Sequence, residues 1–430
     1  MKDMDLSKIK KVFFIGIGGI GISALAKMVL SRGIEVMGIN DEESPKTLNP
    51  LREAGVKIFL RTVLEEVPKD GPLEIPDADL YVYSDAWIYR GPEILKDARA
   101  TGKPVLSYFE ALGEFAKEYK VIAIAGTHGK TTTTAMVAEI LVDAGLDPTV
   151  VVGSFVKKFN SNFRAGKSEY LVVEADEYNR HFLNFYPFLT VITNIEADHL
   201  DCYKDLADIQ NAFNKLLSQS ENKITDYKKY LEKVPKLSIP GEHNRMNAAA
   251  AYVVAEFLDI PEEIIKKSLA DFAGTWRRLE KRGETKDGVI IYDDYAHHPT
   301  EIRASLQALR ELYPAPDKKI TVLFQPHLYS RTKALFDEFS KSFNLADKVL
   351  LLPIYFARED IDESVSSSKL AEAIELKGVE TLSFDDFGRA EDYVKSLNLG
   401  KNDIFVTMGA GEAYKVADRV FHLTDGKDSV

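Results

Sequence analysis

The chain has 430 residues, 45% hydrophobic and 28% charged, with a net charge of −12. That length gives room for about three domains, and the acidic balance excludes non-specific binding to nucleic acid or to an anionic membrane, either of which needs a basic surface. A single cysteine, Cys202, excludes an internal disulfide and a cysteine-based zinc cluster; with no signal-peptide core in MKDMDLSKIKK and no long apolar run, a cytoplasmic protein without membrane spans is expected.

In chain order, the first segment opens with an expected strand over 11–16, a glycine turn and a helix over 20–31. Strands at 34–39 and 79–84 and a helix near 93–102 follow, and this alternation predicts a parallel, doubly wound sheet. The turn reads Gly16-x-Gly18-x-x-Gly21 with an extra Gly19. After a strand and before a helix this pattern fits a bound diphosphate, or else close helix–strand packing. Asn40 and Asp41 end the second strand, where an acid for a ribose hydroxyl belongs.

The second segment starts near Tyr108 and holds the most informative stretch, VIAIAGTHGKTTTTAMVAEIL (121–141). An apolar strand runs into Gly126, Thr127, His128 and Gly129, then Lys130, Thr131, Thr132 and a helix. Backbone amides at such a turn and helix start point at anionic oxygens. Lys130 is placed to reach terminal phosphates and the Thr131 hydroxyl to hold Mg²⁺. The spacing, G-x-x-G-K-T, is two residues shorter than the common phosphate loop. Further strands are expected at 149–153, 169–174 and 187–193, and helices at 131–144, 206–218, 243–258 and 261–270. The Lys-rich stretch 220–236 reads as a solvated helix or a connection.

Ionisable residues gather at the ends of these strands. EADE (174–177) fits a second Mg²⁺ ligand at Glu174, or an acidic cluster at a helix start. In NIEADHLD (194–201), His199 lies between Asp198 and Asp201, as a metal ligand or a base. Asn244 and Asn247 share one helical face and suit a purine edge or simple capping. The polar stretch 274–288 reads as a hinge, with Arg277 and Arg278 either neutralising phosphate or solvated. A third α/β segment, from about 284, has strands at 289–293, 320–324, 348–353 and 403–408. Three of them end in DDYAHHPTE (293–301), FQPHLYSRT (324–332) and GAGE (409–412), the last read as a tight turn. Open α/β sheets bind ligands along that edge.

Taken together and in order, GIGGIGIS, GTHGKTTT, EADE, NIEADHLD, GEHNRMNAAAA, GTWRR, DDYAHHPTE, FQPHLYSRT and GAGE resemble the Mur ligases, ATP-dependent amino-acid ligases of peptidoglycan precursor synthesis. The resemblance implies three domains: a Rossmann-like UDP-sugar domain (1–107), a central P-loop ATPase-type α/β domain (108–283) and a Rossmann-like closing domain (284–430). DDYAHHPTE with FQPH is most similar to the alanine-adding branch. This implies UDP-N-acetylmuramate and L-alanine as substrates, ATP and Mg²⁺ as cofactors, and a monomer or homodimer. Carried onto this chain, the resemblance gives Gly16, Gly18, Gly19 and Gly21 to the UDP-sugar. Gly126 through Thr132 take the ATP phosphates, Asn244 and Asn247 adenine, and Arg278 and Asp294 phosphate and ribose. Thr131 and Glu174 hold one Mg²⁺, and Glu174 with His199 a second; His327 and Arg331 line the amino-acid pocket. Lys130, His199 and Arg278 form the implied catalytic set. Phe213 stands where several sister ligases carry a carbamylated lysine.

The pattern departs at Leu328, where the family has arginine, at Ile39-Asn40-Asp41, at Ser84-Asp85-Ala86-Trp87 and at the final residue of GAGE. The central segment between Phe213 and Gly241 is also short. The implied reaction activates the muramyl carboxylate as an acyl phosphate, which the alanine amine then attacks. The alternatives are a recycling ligase that adds a preformed peptide, and a nucleotide-binding protein that no longer ligates.

Overall fold

The computed structural model describes residues 4–61, 75–199, 202–356 and 359–423. Its apolar runs become three twisted sheets. The first contains β1 (Lys11–Ile15), β2 (Glu35–Asn40), β3 (Lys57–Leu60), β4 (Leu80–Tyr83) and β5 (Val105–Ser107), all parallel in the order β3-β2-β1-β4-β5. The second contains β6 (Lys120–Ala125), β7 (Thr149–Val156), β8 (Ser161–Arg164), β9 (Tyr170–Ala175), β10 (Leu189–Ile192) and β11 (Asn222–Ile224), in the order β11-β10-β6-β9-β7-β8. The third contains β12 (Glu280–Glu284), β13 (Ile290–Asp294), β14 (Lys319–Phe324), β15 (Lys348–Leu351), β16 (Glu380–Ser383) and β17 (Asp403–Met408), in the order β12-β13-β17-β14-β15-β16. Only the edge strands β8 and β12 run antiparallel to their neighbours. Central strands such as β6 and β14 are buried on both faces, as parallel strands covered by helices must be.

The chain divides into two compact units. One holds the described residues of 1–197, 202–236 and 247–273, with the first two sheets; the other holds those of 198–201, 237–246 and 274–430, with the third. Register carries the motifs to sheet edges. In the second sheet Ile124 pairs with Glu174, so the acidic motif emerges level with the turn at 126–129. In the third, Asp294 and Phe324 both pair with Met408, so DDY, FQP and GAG leave the sheet at one level.

Two expectations change. The stretch 220–236 is a connection, but it begins with edge strand β11 and then makes a 3-10 turn at Lys228–Tyr230. The stretch 274–288 is not a plain hinge: β12 pairs antiparallel with β13, with an irregularity between Lys281 and Gly283. Charged residues on a bulged edge strand are what keeps such an edge from pairing further. Among the described residues, no helix is long and apolar enough to cross a membrane.

Candidate active site

Strand β6 ends at Ala125, and the helix Lys130–Asp143 begins five residues later. Gly129 has φ +81°, and a β-carbon there would lie 2.2 Å from the Asn247 Oδ1. Backbone geometry and this close approach both demand glycine. The loop is braced from the next strand: the Thr127 and His128 amides donate to Asn194, through its carbonyl at 3.0 Å and its Oδ1 at 2.9 Å. The Lys130 ammonium folds back onto the loop, donating to the carbonyls of Gly126 (2.6 Å) and Thr127 (3.1 Å) and to Glu177 Oε2 (2.7 Å). Burial opposes that charge, but the carboxylates of Glu177, Asp176 and Glu174 outweigh it and raise the amine above its ordinary value. Thr131 donates to Glu174 Oε2 at 3.1 Å, and the Gly153 amide donates to Glu174 Oε1 at 2.6 Å. One neutral and one anionic oxygen donor beside a phosphate loop suit a hard divalent cation. Thr132 is buried one position further along the helix.

In the first sheet, β1 lies between β2 and β4, so the glycine turn sits where the strand order reverses, the usual ligand crevice. Trp87, Asn40 and Tyr108 approach Gly16, Gly18 and Gly21 more closely than a β-carbon would allow. The turn amides face inward: Gly16 and Ile17 donate to the Ile39 carbonyl, Gly18 to Asn40 Oδ1 and Gly19 to the Gly16 carbonyl. What the turn offers an anion is the start of the helix Ile20–Ser31, whose first amides have no intrahelical acceptor. Asn40, a departure from the family pattern, therefore holds the turn in shape. Asp41 beside it is engaged by Arg61 and Arg90 at 3.6 and 3.5 Å.

The second unit gathers a separate set. Arg331 donates through Nε and Nη2 to Asp198 Oδ1 at 3.2 and 3.1 Å, and its Nη1 lies 3.2 Å from His327 Nδ1. The His199 amide donates to the same carboxylate at 2.7 Å, and His199 Nε2 is 3.7 Å from Asp198 Oδ2. Burial alone would raise Asp198, but Arg331 foremost, then His199, His297 and His298, hold it well below the usual carboxylate range. The His297 ring meets His327 edge-on at 5.9 Å, and burial lowers it to about 4, so it is neutral at physiological pH. Leu328 is 2% exposed at φ +72°, with its side chain packed inward. The last two residues of NIEADHLD, 200–201, lie outside the described residues.

The two arginines of the 274–288 stretch separate in role. Arg277 is buried and donates to Asp293 Oδ2 (2.7 Å) and to the carbonyls of Gly411 (3.0 Å) and Gly409 (2.7 Å), so it is neither solvated nor placed to meet phosphate. Two carbonyls of GAGE, those of Gly409 and Gly411, thus receive this guanidinium. Arg278 instead lies over the Tyr295 ring at 4.9 Å. Asp294 is buried beside Ser305, which donates to it, and the Ala296 amide donates to Oδ1 at 3.3 Å. Asn244 donates to the Pro240 carbonyl at 2.6 Å, whereas Asn247 belongs to the first unit and packs on Gly129. Sequence reasoning missed Asn194, Glu177 and Asp198 as individuals. All three lie inside motifs that were read for a neighbouring residue.

Three family models match the chain. "Mur ligase family, catalytic domain" covers residues 11–120, "Mur ligase middle domain" 124–228 and "Mur ligase, glutamate ligase domain" 277–411. The UDP-N-acetylmuramate–L-alanine ligase of Clostridium kluyveri is 38% identical, over 96% of this chain and 98% of its own. That of Clostridium acetobutylicum is also 38% identical, over 95% and 97%. Among solved structures, UDP-N-acetylmuramate–alanine ligase from Thermotoga maritima superposes with a TM-score of 0.78 at 28% identity, covering 96% of this chain and 98% of that one. A murein peptide ligase from Psychrobacter arcticus shares the fold, with a TM-score of 0.68 at 22% identity over 98% and 100%. A phosphate loop, an acidic strand end and a glycine turn thus stand in segments whose similarity runs nearly end to end, and the chain belongs to the Mur ligase family.

Proposed function

We propose that this protein joins L-alanine to the carboxylate of UDP-N-acetylmuramate at the expense of ATP. The observation that carries this reading is the phosphate loop with Lys130 inside it and the Thr131–Glu174 oxygen pair beside it. The names of the Clostridium relatives supply the substrates. We assign the UDP-sugar to residues 1–107, ATP to 108–283 and the amino-acid end to 284–430.

The chemistry follows from charge. A muramyl carboxylate oxygen attacks the γ-phosphorus, the bond to the β,γ-bridging oxygen breaks and ADP leaves. The neutral alanine amine then attacks the acyl carbon, the bond from that carbon to the phosphoryl oxygen breaks, and orthophosphate departs while the amine's extra proton is released. Both partners of the first step are anions, so the site must neutralise them before they meet. Lys130, released from Glu177 and the loop carbonyls, turns to the phosphates, and Arg278 adds a second cation. Thr131 and Glu174 would hold Mg²⁺, which when bound would supply positive charge for the phosphate oxygens. His199, fixed by Asp198, is the proposed metal ligand of the 198–199 segment. His327 and Arg331 are assigned to the amino-acid pocket, and Asn247 to the nucleotide through the Gly129 turn. Loss of the family's arginine at Leu328 would favour a larger, peptide acceptor, but the leucine is buried, which lends that reading no support.

The test is phosphate release by the purified protein from UDP-N-acetylmuramate and ATP, with L-alanine or a preformed murein tripeptide as acceptor. Alanine-dependent release is expected. Release with the peptide alone would shift the assignment to a recycling ligase, and no release with either amine would refute ligation.

A further inference from the structure

One ring in the first unit touches three segments far apart in sequence. His181 is 8% exposed; its Nε2 lies 2.9 Å from Asp85 Oδ2 and its Nδ1 4.0 Å from Asp176 Oδ2. The imidazole stacks on Phe109, with centroids 4.1 Å apart and planes at 17°, and Tyr178 meets it edge-on at 5.7 Å. Asp85 follows β4 of the first sheet, Asp176 follows β9 of the second, and Phe109 opens the helix Tyr108–Ala116. Burial works against a charge on this ring, but the carboxylates of Asp176 and Asp85 outweigh it and raise His181 to about 9. The ring is therefore an imidazolium at neutral pH.

Both acids stand beside substrate loops. Ser84 and Trp87, flanking Asp85, crowd Gly16, so the Asp85 loop is one wall of the glycine turn. Asp176 is two residues past Glu174, which Thr131 engages. Asp85 also lies in the Ser84-Asp85-Ala86-Trp87 segment, where this chain departs from the family pattern. We infer that His181 is a positioning residue, a charged clasp that fixes the wall of the UDP-sugar turn against the strand end carrying Glu174. The clasp sets the separation of two substrates whose anionic ends must meet, and it rests on the assignment of the glycine turn to the UDP-sugar.

The test compares Asp85→Asn, His181→Ala, His181→Lys and the Asp85→Asn/His181→Ala double variant with the natural protein. Steady-state phosphate release gives separate KM values for UDP-N-acetylmuramate, ATP and L-alanine. Each single loss of the charge pair is expected to raise KM for UDP-N-acetylmuramate by roughly tenfold, the size of a lost charge-assisted hydrogen bond. The double variant should be no worse than the singles, KM for L-alanine should stay put, and His181→Lys should recover part of the loss. Asp85 is partly exposed, so Asp85→Asn keeps the test open even where His181→Ala fails to fold. A change below about twofold in Asp85→Asn, additive losses in the double variant, or an equal rise in the alanine KM would overturn the clasp. If the natural protein turns over but the variants match it, the clasp alone falls. If the natural protein shows no saturation by UDP-N-acetylmuramate, the underlying assignment falls and the clasp with it.

Discussion

Replacing Arg277 by methionine should damage stability far more than replacing Arg278. The Arg277 and Asp293 side chains are 4% and 1% exposed, and their 2.7 Å contact is backed by two carbonyl acceptors and by Thr407, which donates to Asp293 Oδ1 at 2.6 Å. Removing one partner of such a buried pair leaves an uncompensated charge, at about 3–5 kcal/mol. With a urea slope of about 2–3 kcal/mol per molar, the midpoint should fall by about 1–2.5 M. Trp276, 5.9 Å from the Arg277 guanidinium, reports this unit, because the second tryptophan, Trp87, lies in the other one. Urea unfolding followed by tryptophan fluorescence in a Trp87→Phe background, with and without Arg277→Met, isolates the transition. Adding Asp293→Asn to Arg277→Met should restore part of the loss by removing the stranded charge. Arg278→Met should move the midpoint by less than about 1 kcal/mol equivalent while lowering phosphate release. A midpoint for Arg277→Met within about 0.3 M of the parent would refute the argument that this buried pair locks the GAGE turn.

Three further outcomes are expected. Gly129→Ala places a residue at φ +81° and a β-carbon against Asn247; ATP binding measured by calorimetry should weaken by roughly tenfold or more, from about 1–2 kcal/mol of backbone strain alone. Burial raises the Asp294 carboxyl to about 6, so the folded protein holds that proton more tightly than the unfolded chain. The resulting stability is complete below about pH 4 and is lost as pH rises through about 6. Asp294→Asn should abolish that decline when urea midpoints are compared from about pH 4 to about pH 8, and an unchanged profile would contradict the buried-carboxyl explanation. Leu328→Arg, which restores the family's residue type, should destabilise by about 3 kcal/mol or more in thermal melts, because it buries a cation where a packed leucine sits; a variant as stable as the parent with a lower alanine KM would show that the site is open after all.

The long apolar strands and the glycine-bearing turns were legible in the sequence because local pattern and tertiary role agree there. β6, β13, β14 and β17 were placed to within a residue or two, and so was the phosphate loop. The short edge strands β3, β8, β11, β12 and β16 escaped notice. All but β3 (KIFL) carry few apolar residues, β3 is only four residues long, and pairing with a neighbour makes each of them a strand. The same limit applies in the site. Sequence shows that Arg277 and Arg278 are cations, but not that one is consumed by Asp293 and the other lies over Tyr295. It shows Leu328 as a lost charge, but not its φ of +72° and its inward packing. Partners far apart in the chain, such as Asn194 with the phosphate loop, have no local signature at all.

Lys130 bears on how the protein treats its own product. Three oxygen acceptors already satisfy this ammonium, two carbonyls of the loop and the buried Glu177 carboxylate beyond β9. A small anion offers too little to displace them. A triphosphate brings many oxygens, and fills the helix start as well. If the loop takes the nucleotide as proposed, orthophosphate should be a poor competitor for it, and ADP formation should change little when phosphate is added to the assay.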